Sequence, residues 1–207
     1  MVRPSLSDLT RPDRTALVLQ ELQNGVVAGE TILPDLADAA AEVGVVPNAS
    51  RLATAARTAG VPVIHATAAS LPGGFGANRN ARLFAAVRRL GVGPAPGTSS
   101  ATPVRAVYAD DDLILPRYHG LSPMTGTQLD PLLRNAGITT VVIAGVSLNV
   151  AIPNTVFDAV NHSYQVVIAS DAVAGTPVEY GRQVLRHSLG LIATITTTAD
   201  LIAAWKG

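Results

Sequence analysis

Apolar residues along this chain follow two alternating rhythms. Short unbroken runs occupy 15–20 (TALVLQ), 62–66 (PVIHA), 113–115 (LIL), 139–144 (TTVVIA), 165–170 (QVVIAS) and 192–196 (IATIT). Runs this short that do not alternate with polar residues read as strands buried on both faces. Between them, apolar positions recur every three to four residues, which predicts helices over 34–43, 48–59, 82–90, 127–135, 178–188 and 200–205. A further helix is predicted to start near Asn149. There Ile152, Val156 and Val160 share one face while Asn154, Asp158 and Asn161 fall between them. Pro153 fits this start, because a proline in the first turn gives up only an N–H that had no intrahelical partner.

Residues 1–13 are polar and carry Pro4 and Pro12, so they are expected to form an N-terminal arm over the surface or a subunit contact. The glycine-laden stretch 71–80 reads as a loop, and 91–103 as a long connector. Strands and helices keep alternating after that connector, so 1–207 is expected to be a single domain. The implied fold is an α/β three-layer sandwich, a central parallel sheet of about six strands with helices on both faces. Ligands of such sheets collect beyond the carboxyl ends of the strands, which directs attention to the ends of the runs at 15–20, 62–66, 113–115 and 139–144.

Composition narrows the function. The 207 residues are 48% hydrophobic, enough for a sizeable core. Net charge is zero and the 15 basic residues are scattered, so no nucleic-acid footprint is present and a small-molecule or protein partner is expected instead. The absence of cysteine excludes disulfides, thiolate metal sites and cysteine nucleophiles. Arg3, Asp8, Arg11 and Asp13 precede any apolar run, and no run approaches membrane-spanning length. A soluble cytoplasmic protein is therefore expected.

Polar groups gather where the strands end. Glu21, Gln23 and Asn24 follow the first run; Arg117, Tyr118 and His119 follow the third. After the fourth, the free amides around Val150 and Ala151 open a helix and can hold an anion or a developing oxyanion.

These segments resemble the isochorismatase-like hydrolase superfamily, which includes nicotinamidases, carbamoyl-group amidohydrolases and isochorismatases. TALVLQELQNGV looks like its first strand with an Asp-x-Gln-Asn ending, and LPRYHGLSPMTGTQLDPLLRNAGI like its lysine loop and the helix after it. The most specific part, GVSLNVAIPNTVFDAVNHSYQVVIASDAVAG at 145–175, looks like its strand, cysteine elbow, helix and strand. The resemblance extends from Thr15 to about Ala204. It implies a homo-oligomer and a triad of aspartate, lysine and cysteine, with a cis peptide beside the elbow. Here those positions carry Glu21, Arg117 and Ala151, and the cis bond falls between Val146 and Ser147.

All three triad positions depart, and thioester chemistry is excluded because no thiolate exists. The resemblance then implies a cofactor-free hydrolase, or related lyase, acting on a small carboxylated molecule without a covalent intermediate. The alternative is an inactive relative that binds a ligand or regulates a partner. Glu21 offers a general acid or base; Arg117 can clamp a carboxylate but cannot shuttle protons; the Ala151 amide remains as a donor. Gln23, Asn78, Tyr118, His119, Ser147 and Asn149 are the candidates for holding substrate. Bland readings stand beside these: Glu21 and Arg117 as an ion pair filling the vacated site, His119 as structural, Asn78 as solvated loop, and Asn149 as helix cap. Metal-binding members place an aspartate and histidines after the second strand. Here only His65 stands there, a residue that reads as core, so no metal is expected.

Overall fold

The computed structural model describes residues 4–28, 31, 33–89 and 93–206. At its centre is an all-parallel sheet of six strands, β1 Thr15–Gln20, β2 Val63–Ala68, β3 Leu113–Arg117, β4 Thr140–Val146, β5 Gln165–Ala174 and β6 Thr194–Thr196. Their order is β3-β2-β1-β4-β5-β6. The helices around it are α1 Leu6–Leu9, α2 Asn24–Val27, α3 Pro34–Val43, α4 Val45–Thr58, α5 Arg82–Arg89, α6 Leu129–Asn135, α7 Ala151–Asn161, α8 Val178–His187 and α9 Thr198–Trp205.

Every residue of β1 is buried because both of its faces are covered. Its side chains alternate between two cores, as the pleat requires. Leu17 and Leu19 join α3, α4 and α9 through Leu36, Ala49, Leu52 and Trp205. Ala16 and Val18 join α6, α7 and α8 through Leu129, Ile152, Val156 and Leu185. Full burial of each such large aliphatic side chain contributes about 1.5–3 kcal/mol. The result is the expected three-layer sandwich. Strand order reverses between β1 and β4, which makes the carboxyl ends of these two strands the switch point where ligands collect.

Several boundaries differ from those read off the sequence. α4 begins at Val45, before Pro47, because a proline in the first turn again loses no intrahelical bond; Gly44, at φ 77°, ends α3 in the left-handed conformation and leads directly into it. β2 starts one residue later and ends two later than expected, and β3 runs on to Arg117, since β2 and β3 pair as far as Ala68 and Arg117. β5 extends to Ala174 through a register shift opposite Ile143 and Gly145, while β6 shrinks to three residues behind a 3-10 turn at Leu189–Leu191. α6 starts at Leu129, and α2 had no periodic signal in its four residues. The end of the helix expected over 82–90 lies at Leu90, outside the described residues, as do residues 1–3 of the arm and 91–92 of the connector. Within the arm, the Leu9 and Thr10 carbonyls accept from Thr140 Oγ1 at 2.8 Å and Trp205 Nε1 at 2.9 Å, so it packs against β4 and α9 of its own chain. Among the described residues no helix is long and apolar enough to cross a membrane.

Candidate active site

Glu21 is the first residue past β1. Its N–H still reaches the Ala66 carbonyl at 2.9 Å, but its backbone has turned to φ 53°. A left-handed conformation at a non-glycine residue costs about 1–3 kcal/mol and persists only where surroundings enforce it. The side chain that Glu21 carries there meets Arg117, the last residue of β3, whose Nη2 lies 2.6 Å from Glu21 Oε1. The pair spans β2 from above, and its side chains are 16% and 11% exposed. Arg117 Nη1 also donates to the Gly120 carbonyl and, at 3.4 Å, to that of His119. The arginine thus ties its own loop to the carboxylate.

The elbow after β4 is held from two sides. Gly145, at φ 119°, passes so close to β1 that a Cβ there would lie 2.0 Å from the Gln20 carbonyl oxygen, which no side chain tolerates. The Val146–Ser147 peptide is cis. The Ser147 carbonyl accepts from Ile152 at 3.0 Å and Val150 at 3.4 Å, folding the chain into α7. Ala151 is 8% exposed and opens that helix. Among the described residues its N–H has no hydrogen-bond acceptor. One turn on, Thr155 Oγ1 contacts the Ala151 carbonyl at 2.9 Å and Gln20 Oε1 at 2.6 Å, which joins the elbow to the strand that carries Glu21. The buried Gln20 Nε2 is left without a partner.

Two of the expected substrate contacts serve the scaffold. Asn149 does not cap α7: the cap position is Val150, and the Asn149 amide instead binds both main-chain groups of Thr176, at 2.6 and 2.9 Å. Gln23 is fully buried. Its Oε1 accepts from Ala68 N at 2.6 Å and its Nε2 donates to Ala68 O at 2.9 Å and to Ala101 O at 3.3 Å, clamping the ends of β1 and β2. Tyr118 and Ser147 are half-buried on their turns.

Asn78 and His119 lie elsewhere, in a cleft of about 370 Å³ beside the Glu21–Arg117 pair. Asn78 Oδ1 accepts from Gly120 N at 2.6 Å, drawing the glycine-laden loop against the loop after β3. Asn80, Phe84, Leu121, Ser122, Asn154 and Asp158 are among the other residues that line it. Glu21, Arg117 and Ala151 do not line this cleft, yet they frame it: Arg117 through Gly120 and His119, and Ala151 through α7, where Asn154 and Asp158 follow at three and seven residues on the same helical face. That helical stripe was visible in the sequence as polar positions between apolar ones. Asn80 stood out only as a polar residue on the glycine-laden loop, and Phe84 gave no comparable signal. A larger depression of about 480 Å³ lies between the arm and α9, and its carboxylate, Asp200, already accepts at 2.7 Å from Thr197 Oγ1, the residue that caps α9.

His65 is a core residue with a specific partner. Its Nε2 lies 2.8 Å from Asp112 Oδ2, and Arg57 binds the same carboxylate through Nε and Nη2 at 2.9 and 2.6 Å. Burial lowers the His65 pKa, opposed by the hydrogen bond and charge of Asp112. The geometry agrees, because Nδ1 has no partner and protonation would bury an unpaired N–H. For Asp112, burial pushes upward, but hydrogen bonds from Arg57, His65 and the Ala109 amide together hold it below the ordinary value. Among the described residues no three histidine, aspartate or glutamate side chains gather as a metal site.

Comparison with known proteins agrees with this architecture. A family model described as the isochorismatase domain matches residues 15–200. The ureidoacrylate amidohydrolase RutB of Methylorubrum extorquens is 31% identical over 183 residues, 80% of this chain and 72% of that protein. RutB of Serratia proteamaculans is 27% identical over 93% of this chain and 84% of its own length. Among solved structures, a cysteine hydrolase from Pseudomonas syringae pv. phaseolicola superposes with a TM-score of 0.82 at 25% identity, covering 100% of this chain and 99% of that one.

Proposed function

Because this chain belongs to the isochorismatase family, we propose that it is a hydrolase of a small organic molecule in which water attacks directly and no covalent intermediate forms. The relatives named above include amidohydrolases and a cysteine hydrolase. Their kind of reaction needs an electrophilic carbon, an attacking group and a donor for the oxyanion. In this chain the attacking group cannot be a side chain at position 151, because a methyl group has no lone pair.

The observation that carries the reading is the Glu21–Arg117 contact of 2.6 Å. It holds one carboxylate oxygen and leaves Oε2 without a hydrogen bond among the described residues, open to take a proton from water. The water oxygen then bonds to the substrate carbon, the negative charge that develops is met by the free Ala151 N–H, and the leaving group departs with a proton returned from Glu21. An amide donor of this kind lowers a barrier by about 2.7–4 kcal/mol. Carboxylate selectivity is not part of this reading. The carboxylated substrate is an expectation of the family resemblance, which Arg117 would serve as a clamp, and here the guanidinium is already matched by Glu21 and two carbonyls.

The test is a substrate screen with amides, esters and enol ethers on wild type and Glu21→Gln. The substitution keeps shape and removes the base, so turnover should drop about 10²–10⁴-fold. Turnover that survives it clears Glu21 of the role. A second reading, a ligand-binding module, is favoured by the closure of the Arg117 guanidinium within the chain; absence of turnover on every class, with retained ligand binding, would select it.

A further inference from the structure

The cleft beside the ion pair has a charge pattern of its own, and it runs against an anionic ligand. Among the described side chains that line it, Asp158 is the one with a fixed charge, and no lysine or arginine is among them. The Arg117 guanidinium, bonded to the main chain of two lining residues, is neutralised by Glu21 at 2.6 Å and turned toward the carbonyls of its own loop. Arg79 and Arg82 belong to the neighbouring loop and helix but are exposed and outside the lining. His119 sits exposed at the rim. Asp158 is half-buried on α7, and one of its oxygens is fixed by Thr125 Oγ1 at 2.8 Å. Its other oxygen has no partner among the described residues, nor does the Asn154 amide one turn earlier. Phe84 and Leu121, both half-buried, and the exposed Asn80 line the same cleft.

We propose that this cleft is a recognition site for a small, flat ligand bearing a cationic N–H group, an amidinium or an ammonium. Each part of the wall has a chemical counterpart in such a ligand. The free Asp158 oxygen accepts a charge-assisted hydrogen bond from the cation, the stronger kind of polar contact. Asn154 accepts from or donates to the remaining N–H and carbonyl groups, and Asn80, whose oxygen already accepts from Asn78 Nδ2 at 3.2 Å, offers its NH2 as a donor. Phe84 and Leu121 cover the apolar face, and a cation beside an aromatic ring gains further attraction. The volume of about 370 Å³ lies at the lower end of the range of about 300–1,000 Å³ for small-molecule sites, which restricts the ligand to metabolite size. A carboxylate in the same place would meet Asp158 with like charge. The inference stands apart from the hydrolase reading, because neither Glu21 nor Ala151 lines the cleft.

Benzamidinium, benzamide and benzoate share one ring and differ in the charge of the group it carries, so calorimetry with the three on the full chain at pH 8 isolates that charge. Benzamidinium is expected to bind at least about tenfold more tightly than benzoate, with benzamide between them. Asp158→Asn keeps the shape of the side chain and an acceptor for Thr125. It should weaken benzamidinium about tenfold while leaving benzamide within about twofold. Asn80→Asp, which adds a second negative group to the wall, should strengthen benzamidinium several-fold. Benzoate binding as tightly as benzamidinium, an unchanged benzamidinium affinity in Asp158→Asn, or no measurable binding of any of the three overturns the proposal. Its failure is separable from that of the hydrolase reading. Asp158-dependent cation binding alongside turnover that ignores Glu21→Gln would leave the site standing and remove the mechanism, and the reverse pattern would do the opposite.

Discussion

Two arginine–carboxylate pairs lie on the same half of the sheet, and they are finished differently. Around Asp112 everything is closed: Arg57 binds both oxygens, His65 and the Ala109 amide add two more contacts at 2.8 and 2.9 Å, and the carboxylate is 3% exposed. Those bonds tie α4, β2 and the segment before β3 into one unit. Among the described residues the Glu21 carboxylate receives a single contact, from Arg117, on a left-handed backbone at the mouth of a cleft. The difference separates two uses of one chemistry. A carboxylate with every oxygen occupied fastens the fold, whereas one held by a single oxygen keeps a lone pair for a ligand or a water molecule.

The largest expected effect tests that contrast through stability. Asp112→Ala leaves the Arg57 guanidinium and the His65 N–H without their acceptor and should cost about 3–5 kcal/mol in urea denaturation. Glu21→Gln should stay within about 1 kcal/mol of wild type. Equal losses in the two variants would erase the distinction. A double-mutant cycle sharpens it: Arg57 and Asp112 should couple by about 2–3 kcal/mol, and Glu21 and Arg117 by less, near the lower end of the range of about 0.5–3 kcal/mol for contacting residues.

A smaller effect should appear with pH. His65 holds a proton less readily in the folded chain than its ordinary value of 6.5, so just below 6.5 the unfolded chain binds more protons and stability falls as pH falls. Its contribution is complete above 6.5 and is lost as pH drops toward its lowered folded value. Asp112, also lowered, adds a second loss as pH drops below its ordinary 3.8 through its folded value. Denaturation midpoints at pH 7.5 and pH 5 should therefore differ in wild type and converge in His65→Gln; a fall that persists unchanged in the variant assigns it to other groups. The smallest effect is expected from Ala151→Cys, where amidase assays should stay at background because neither an aspartate at 21 nor a lysine at 117 is present to activate the thiol. Clear recovery of activity would show that the altered pair can still serve a nucleophile.

Much of this architecture can be read directly from the amino acids. A strand covered on both faces must be apolar throughout, so the runs at 15–20 and 139–144 announce central parallel strands, and the parallel order then places Glu21, Arg117 and Ala151 at one end of the sheet. The chemistry that is ruled out is also a matter of residue type alone, since a chain without cysteine has no thiolate. What each polar side chain does was decided by packing between distant segments. Gln23 pairs with Ala68, Asn149 with Thr176, His65 with Asp112, and Asp158 reaches a cleft closed by a loop some 80 residues earlier. Local periodicity records which face of an element is apolar, because that depends on neighbours three or four positions away. It holds no record of where a hydrogen-bonding group meets its partner, because that depends on how the loops close over the sheet once the core has formed.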